Sequence, residues 1–339
     1  MNKNEKNKPT ILITTSTFPR SEKDTIPRFI LDLAQSVQNN YQIIVLTPHI
    51  LGCPESEIYG KVRVERYKYF PERFESLIGE GGILPRIKQN PIRILQIPTL
   101  LFAQYIAVKK IVRKHDIRLI HAQWFFPQAP IAMLIANKGN IRFGVTSHGS
   151  DVNQLKSLIF QTIYQKVIRK ADFITAVSES LANKIQQSES TEVPVIPMGI
   201  NQGFFELKRV NVNSKSIISV GRLDRQKGFQ DVIKVLPELP EYHYTIIGEG
   251  SDRTFLEKLA NKHGVKDRVH LIGSKTPEEI MQMYQTAGLF ILPSRTEGFG
   301  LSVVEAMAAG VPVITSNIEA LSMHTERGDG ISVDTQDSS

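Results

Sequence analysis

Two glutamates enclose a short apolar run in the stretch RTEGFGLSVVEA, residues 295–306. Glu297 and Glu305 stand eight positions apart, and Gly298 and Gly300 lie between them. The stretch follows the apolar run LFILP and ends in a helix-like segment that a glycine, Gly310, would terminate. Glycines let backbone N–H groups approach a ligand closely, and a helix N-terminus attracts anions. The combination predicts a ligand-binding loop in which both glutamates take part.

Each glutamate also has a purely structural interpretation. Ser302 and Glu305 match a capping box, S-V-V-E, in which Glu305 would stabilise the start of a helix. Glu297 would then be an exposed loop acid. The residues alone leave both interpretations open.

Two cations follow an earlier strand-like run in a similar way. The run IISV ends at residue 220, and Arg222 and Lys227 lie in the loop after it. Gly228 then allows a sharp turn into a helix. Two cations near a helix N-terminus predict a polyphosphate site, and two solvated loop charges are the alternative.

The first half of the chain carries a comparable loop. The stretch FGVTSHGSDVN places His148 and Asp151 directly after a strand-like run. A lone histidine often has only a structural role, but this one lies where sheets of this kind bind their ligands. The stretch HAQWFFP, residues 121–127, occupies the equivalent position after another run.

These loops need a scaffold of alternating strands and helices, and both halves of the chain supply that pattern. Runs of about five apolar residues, separated by helical segments, predict parallel sheets covered on both faces. We therefore expect an α/β fold with two doubly wound, Rossmann-like domains facing each other across a cleft, the default place for a ligand. The polar stretch 197–216 lacks periodicity and predicts a boundary, giving domains at residues 1–198 and 199–339.

Composition and missing motifs narrow the chemistry. The chain has 339 residues and one cysteine, Cys53, which excludes an internal disulfide and suits a reducing cytoplasm. The early apolar run ILI is too short for a signal peptide, and we expect no membrane-spanning helix. No P-loop, complete dinucleotide fingerprint or zinc-type spacing occurs, and no Asp-x-Asp pair could hold a magnesium nucleotide. We expect neither metal nor cofactor, so that Arg222 and Lys227 would neutralise the phosphates.

Charge is distributed unevenly along the chain. Residues 1–199 carry a net +10 and residues 200–339 a net −3. Within the first half, the apolar segment 73–115 is flanked by cations: Lys88, Arg93, Lys109, Lys110, Arg113 and Lys114. This pattern favours a helix bound at an anionic membrane surface, with a buried helix that has basic ends as the alternative. Nucleic acid is not expected, because no groove-binding motif accompanies the charge.

Together the motifs resemble the retaining glycosyltransferases of family four, the glycosyl transferases group 1, which have the GT-B fold. The resemblance covers nearly the whole chain in order, and the E-x7-E element with R-x4-K upstream is its most specific part. The matching stretches are TFPR (17–20), HAQWFFP, SHGSD (147–151), AVSES (176–180), IPMGI (196–200), VGRLDRQKG (220–228), IGEG (247–250) and PSRTEGFGLSVVEAMAAGVPVI (293–314).

The resemblance implies a role for each candidate residue. Glu305 would hold the ribose of a nucleotide-sugar donor, and Glu297 would contact a hydroxyl of the transferred sugar. Arg222 and Lys227 would grip the diphosphate, and His148 would lie beside the donor sugar. The remaining donor contacts would come from Glu249 and Gly273 near the base, and from Gly298, Phe299, Gly300 and Leu301 near sugar and phosphate.

The implied function is transfer of a hexose, with retention and without a metal, to a glycan or lipid-linked acceptor in cell-surface polysaccharide biosynthesis. The enzyme would be cytoplasmic or peripheral on the inner face of the membrane. A catalytically inactive sugar-nucleotide-binding or scaffold protein is one alternative, and a GT-B-fold epimerase or phosphorylase is another.

The chain departs from the family pattern in two places. The loop TSTFPRSEKDTIPRF lacks the glycines that many relatives carry after the first strand, so either Arg20 partly substitutes for them or this loop serves the acceptor. Arg20 and Asp151 are the expected acceptor-binding residues. The chain also stops soon after GDGISV, where relatives continue, and we expect an incomplete second domain.

Overall fold

The computed structural model describes residues 8–21, 24, 28–79, 83–139, 141–149, 158–189, 191–326 and 328–334. The chain divides into two compact units, Met1–Gly199 and Ile200–Ser339. Each unit has its own sheet, and the two are described separately below.

The first unit is built on a seven-stranded sheet in the order β3-β4-β2-β1-β5-β6-β7. Its strands are Thr10–Thr14 (β1), Gln42–Pro48 (β2), Ser56–Tyr59 (β3), Val62–Tyr67 (β4), Ile117–Gln123 (β5), Arg142–Ser147 (β6) and Phe173–Ala176 (β7). All neighbouring strands are parallel except β3 and β4, which form an antiparallel hairpin at the edge. Apart from this hairpin strand, the order reverses between β1 and β5, which is the doubly wound arrangement.

Six helices accompany this sheet in the described part of the first unit. They are Phe29–Val37 (α1), Ile83–Gln89 (α2), Gln96–Lys114 (α3), Gln128–Gly139 (α4), Leu158–Lys170 (α5) and Glu179–Ser188 (α6). The 3₁₀ turn Pro91–Leu95 leads directly into α3. Residues Pro91–Lys114 are long and apolar enough to cross a membrane by length and composition, and 22% of an 18-residue window within them is buried in the protein. From the sequence, a helix at a membrane surface or a buried helix was expected in this segment, and a membrane-spanning one was not.

The second unit has a six-stranded, all-parallel sheet in the order β10-β9-β8-β11-β12-β13. Its strands are Asn213–Val220 (β8), His243–Ile247 (β9), Val269–Leu271 (β10), Ala287–Leu292 (β11), Val313–Ser316 (β12) and Gly330–Val333 (β13). Its described helices are Phe229–Val235 (α7), Arg253–Lys262 (α8), Pro277–Thr286 (α9), Leu301–Ala308 (α10) and Glu319–Thr325 (α11). The strand order reverses between β8 and β11, so the loops after these two strands meet at a topological switch point.

Aromatic side chains fill the core of the second unit. Phe229, Tyr244, Tyr284 and Phe290 are all 0% exposed. Full burial of a large apolar side chain stabilises a fold by about 1.5–3 kcal/mol, so these residues hold the helices against the sheet. A packed core beneath the loops fixes the strand ends that carry the polar residues.

Most of the predicted strands exist, but one apolar run does not form a strand and one strand was not predicted. Residues 193–197, VPVIP, are an apolar run of the kind that predicts a strand, yet Val195 makes only an isolated bridge with Ala176. The edge strand β3 was not predicted, because the sequence SEIY alternates weakly and is largely exposed. Short edge strands rely on pairing with one neighbour, a contact that the local sequence does not specify.

The predicted capping box at Ser302 is also wrong. The helix α10 begins after Gly300, which has a φ of 85°, and no side chain in the described part of the chain caps it. Ser302 is therefore inside the helix. The structure instead forms a capping box at α9, where Thr276 and Glu279 bond each other's backbone N–H groups.

Candidate functional site

The loop after β8 is held in shape by its own polar side chains. Asp224 caps the short 3₁₀ turn Arg225–Lys227, because its Oδ1 accepts a hydrogen bond of 3.0 Å from the backbone N–H of Gln226. The other oxygen, Oδ2, accepts one of 2.5 Å from Arg222 Nε. The side chain of Arg222 is 40% exposed, so its guanidinium is fixed near the surface of the loop.

A left-handed glycine brings this loop against the loop after β11. Gly228 has a φ of 73°, and a Cβ at this position would lie 2.0 Å from the carbonyl oxygen of Pro293. The backbone N–H of Arg295 donates to the carbonyl oxygen of Gln226 at 2.7 Å. The two loops therefore touch through backbone atoms, a contact that no residue other than glycine could allow at position 228.

The same approach pairs the lysine of R-x4-K with the first glutamate of E-x7-E. Lys227 Nζ forms an ion pair with Glu297 Oε1, which also accepts a hydrogen bond of 2.8 Å from Ser294 Oγ. Ser294 is fully buried, and the side chains of Lys227 and Glu297 are only 20% and 11% exposed. One cation and one anion are therefore held together at the switch point of the second sheet.

The rest of the second loop presents backbone groups beside this pair. Phe299 is buried, and its carbonyl oxygen accepts a hydrogen bond of 2.7 Å from His324 Nε2. Burial lowers the pKa of His324, although the hydrogen bond to Phe299 opposes part of this effect. Leu301 begins α10, and Glu305 lies further along that helix, where it is partly buried. Gly298 lies in the loop itself, between Glu297 and Phe299.

Glu249 and Gly273 lie together at the ends of the neighbouring strands β9 and β10. The backbone N–H of Gly248 donates to the carbonyl oxygen of Gly273 at 2.9 Å. Glu249 Oε1 accepts a hydrogen bond of 3.1 Å from Arg253, which also donates to the carbonyl oxygen of Leu271 at 2.7 Å. Because all strands of this sheet are parallel, Glu249 and Gly273 are at the same edge as Lys227 and Glu297.

In the first unit, His148 follows β6 and contacts an aromatic wall. Its ring centroid lies 4.7 Å from that of Trp124 and 5.0 Å from that of Phe29. Its Nε2 lies 2.8 Å from Gln123 Oε1, so Nε2–H donates to this amide oxygen and Nδ1 is left as an acceptor. Nδ1 is buried and has no hydrogen-bond partner among the described residues. Burial lowers the pKa of His148 to about 3, with a smaller contribution from the charge of His121.

Trp124 supports this arrangement through an unusual backbone. It directly follows β5 and has a φ of 78°, which is rare for a residue with a large side chain. Its backbone N–H donates to the carbonyl oxygen of Thr146 at 2.9 Å. Strained residues of this kind concentrate at functional sites, and this one places the indole ring against His148.

Of the two residues expected to bind the acceptor, Arg20 and Asp151, only Arg20 lies in the described part of the structure. Arg20 forms a two-pronged ion pair with Asp24, at 3.0 Å for both Nε and Nη2. It also lines a cavity of about 240 Å³ with His49, Tyr69 and Arg86, at the end of β2 and β4. Asp151 lies outside the described residues.

The structure thus groups the second-unit candidates and shows which residues the sequence analysis missed. Asp224, Ser294 and His324 position the two loops, and Gln123 fixes the tautomer of His148. The only local signal among them was Asp224, two residues after Arg222 in a turn. Among the described residues, no group of three or more His, Cys, Asp and Glu side chains could hold a metal ion.

Comparison with known proteins decides the family. The sequence model of Glycosyltransferase Family 4 matches residues 26–203, more than half of the chain. The chain belongs to glycosyltransferase family 4. The model of Glycosyl transferases group 1 matches residues 204–338, which include both loops of the second unit. The resemblance inferred from the motifs is confirmed.

Several proteins similar to this chain are enzymes of polysaccharide or glycolipid biosynthesis. The chain is 29% identical over 219 residues to a glycogen synthase of Mycobacterium tuberculosis, covering 60% of this chain and 53% of that protein. It is 26% identical over 238 residues to the GDP-mannose-dependent alpha-(1-6)-phosphatidylinositol monomannoside mannosyltransferase of the same organism, covering 62% of this chain and 61% of the relative. The chain thus spans less than two thirds of the length of these curated relatives.

Solved structures confirm the fold. Sucrose-phosphate synthase from Thermosynechococcus elongatus superposes with a TM-score of 0.76 at 19% identity, covering 97% of this chain and 87% of that one. This likeness, together with two Rossmann-like units, shows the predicted GT-B fold.

Proposed function

We propose that the protein is a retaining, metal-independent hexosyltransferase that uses a nucleotide-diphosphate sugar. The observation that carries this proposal is the Lys227–Glu297 pair at the switch point between β8 and β11. It joins the R-x4-K loop to the E-x7-E loop, so that a phosphate-binding cation and a hydroxyl-binding carboxylate occupy one small site.

In the proposed reaction, the bond between the anomeric carbon and the diphosphate oxygen breaks while the acceptor oxygen bonds to that carbon. The acceptor's proton passes to the leaving phosphate oxygen on the same face, so no dedicated catalytic base is needed. Negative charge grows on the diphosphate, and fixed cations aimed at that charge stabilise the transition state. Arg222 and Lys227 supply those cations, with the backbone N–H groups near Gly300.

The other residues of the second unit would bind the remaining parts of the donor. Glu297 would accept a hydrogen bond from a sugar hydroxyl, which requires it to share or give up Lys227 when the diphosphate arrives. Glu305 would bind the ribose, and Glu249 and Gly273 would lie near the base. The first unit would bind the acceptor through Arg20, with His148 beside the donor sugar.

His148 suits a neutral hydrogen-bonding role. Its lowered pKa and its bond to Gln123 keep the ring uncharged at pH 7, with Nδ1 as the acceptor. A charged imidazolium would repel the positive charge that develops on the sugar, whereas a neutral ring does not.

The relatives support the acceptor class. One of them acts on a phosphatidylinositol mannoside by its name, and another makes glycogen. For this chain we propose a glycan or lipid-linked acceptor in cell-surface polysaccharide biosynthesis. We also propose that the enzyme is cytoplasmic and has no nucleic-acid partner. The +10 charge of residues 1–199 would attract it to an anionic membrane surface.

Calorimetric titration of the full chain with UDP, GDP and ADP tests the donor site. One nucleotide should bind, and Arg222→Ala and Lys227→Ala should each weaken it by about 10- to 100-fold, the value of a charge-assisted hydrogen bond. Lys215→Ala is the matched control, because Lys215 lies on β8 but pairs with Glu241 at 2.9 Å, away from the loop. A folded chain that binds none of the three nucleotides would contradict the proposal.

Turnover separates the enzyme from the alternatives. Incubation with nucleotide sugar and acceptor should release nucleoside diphosphate and form a glycoside with the donor's anomeric configuration, which NMR reports. Binding without turnover would indicate a scaffold protein, and product without acceptor would indicate an epimerase. An inverted product would refute retention.

A further inference from the structure

The helix α3 packs against the first unit along one face only. Its buried residues recur every three or four positions: Gln96, Leu100, Gln104, Val108 and Ile111. The helix contacts β2, β4 and α4. A helix anchored in this way lies on the surface of the domain, although its length and composition would suit a membrane span.

The opposite face of the helix exposes large apolar side chains. Phe102 is 68% exposed and Ile106 is 46% exposed, and Leu95, the last residue of the preceding 3₁₀ turn, is 69% exposed. Their spacing of seven and four residues places them on one line along the helix, about half a turn away from the buried face. Ile92 and Ile94, in the preceding 3₁₀ turn, are 72% and 54% exposed and extend the apolar surface.

Cations follow this apolar line at the end of the helix. Lys109, Lys110, Arg113 and Lys114, together with Ile106, line an open cavity of about 380 Å³. Residues 81–115 contain seven lysines and arginines and no aspartate or glutamate. Favourable interaction with the helix dipole accounts for cations in the last turn, but it does not account for the exposed apolar residues before them.

We propose that this face, Leu95 to Lys114, docks the protein on an anionic lipid bilayer. Leu95, Phe102 and Ile106 would enter the boundary between headgroups and acyl chains, and the four cations would bind lipid phosphates around the cavity. The biological reason for this docking, access to a lipid-linked acceptor, rests on the proposed function. Binding of the helix face to lipid does not itself require the sugar donor or the acceptor.

Charge and shape favour lipid over other occupants. A second copy of the chain would bring two cation clusters together, which like-charge repulsion opposes. The exposed apolar side chains lie in one line along a single helix, an arrangement that suits insertion into a planar bilayer.

Flotation of the full chain with vesicles tests the docking face. The protein should bind probe vesicles of phosphatidylcholine that contain about 30% phosphatidylglycerol, and it should not bind vesicles of phosphatidylcholine alone. Salt at about 0.5 M should weaken the binding, because it screens the charges. The variant Lys109→Ser/Lys110→Ser/Arg113→Ser should lose about 100-fold in partition, at about fivefold per cation. Phe102→Ser/Ile106→Ser should lose at least about tenfold.

Two control variants use exposed side chains elsewhere in the first unit. Lys138→Ser/Lys166→Ser/Lys170→Ser removes the same charge from exposed positions on α4 and α5. Ile58→Ser removes an apolar side chain that is 70% exposed on β3. Losses equal to those of the α3 variants would show a general charge or apolar effect and would overturn the proposal.

The remaining outcomes are also decisive. No binding to anionic vesicles, or self-association without lipid that Phe102→Ser abolishes, would overturn the docking face. Circular dichroism and nucleotide titration of each variant show whether the fold and the donor site persist. A chain that binds anionic vesicles but no nucleotide would uphold the docking face and refute the donor site.

Discussion

Replacing Glu297 with alanine should separate the sugar-binding role of this residue from the phosphate-binding role of its partner. In the structure Glu297 neutralises Lys227, and the pair is mostly buried, with 11% and 20% of the two side chains exposed. Glu297→Ala removes the carboxylate and leaves the ammonium of Lys227 available to a diphosphate. The variant should therefore keep its nucleotide affinity while losing transfer.

The size of both effects follows from the geometry. Two charges 4 Å apart attract by about 4 kcal/mol at an effective dielectric constant of 20, and desolvation offsets most of this. We expect nucleotide affinity to stay constant or to rise by up to about tenfold, which corresponds to about 1.4 kcal/mol. Loss of a group that contacts the sugar in the transition state should lower kcat by about 100- to 1000-fold.

Calorimetry with the nucleotide and initial rates with the full donor measure the two quantities. Glu297→Gln should have an intermediate effect, because its amide oxygen can still accept the hydrogen bond from Ser294. Lys227→Ala, unlike Glu297→Ala, should lower the affinity for the nucleotide. Glu241→Ala, which breaks an exposed pair with Lys215, should change neither quantity. A parallel fall of affinity and rate in Glu297→Ala would refute the assignment.

Two further predictions concern stability. Gly228→Ala should destabilise the second unit by roughly 3 kcal/mol, because the new Cβ would both require a positive φ and clash with the Pro293 carbonyl. Gly264→Ala should cost only about 1 kcal/mol, since Gly264 has a similar φ of 68° but a Cβ there would meet no described atom within 4 Å. Urea unfolding measures both free energies, and equal losses would refute the contribution of the clash. Burial lowers the pKa of His121 to about 4 and that of His148 to about 3, below the value of about 6.5 in the unfolded chain. The unfolded state therefore binds more protons than the folded state, and the free energy of unfolding should fall as the pH drops below about 6.5. The loss at pH 5 should be roughly 2 kcal/mol per histidine. Urea unfolding at pH 7.5 and pH 5 measures this, and His121→Asn should remove about half of the change; an unchanged pH dependence would contradict buried neutral rings.

Local sequence predicted much of the scaffold because strand and helix patterns are local. Runs such as IISV and LFILP became β8 and β11, and Gly228 and Gly310 have the positive φ values that their predicted turns require. The failures were contacts with other parts of the chain. The strand β3 depends on β4, and the start of α10 depends on Gly300 packing against Leu321 instead of on a Ser302 cap.

The candidate site divides in the same way. Residue type and position after a strand indicated Arg222, Lys227, Glu297 and His148 as candidates, since charge and hydrogen-bonding capacity belong to the side chain itself. The partners Ser294, Gln123 and His324 were not predictable, because nothing local shows which side chain a buried polar group will meet.

By itself, the sequence determined that the chain forms two mainly parallel sheets and which polar side chains follow their strands. Only the tertiary structure decided that Lys227 and Glu297, 70 residues apart, form one pair, because the sheet order sets β8 beside β11. It likewise decided which apolar residues of α3 are exposed. Periodicity places residues on a face of a helix, but only packing against β2, β4 and α4 determines which face is covered and which remains open to a partner.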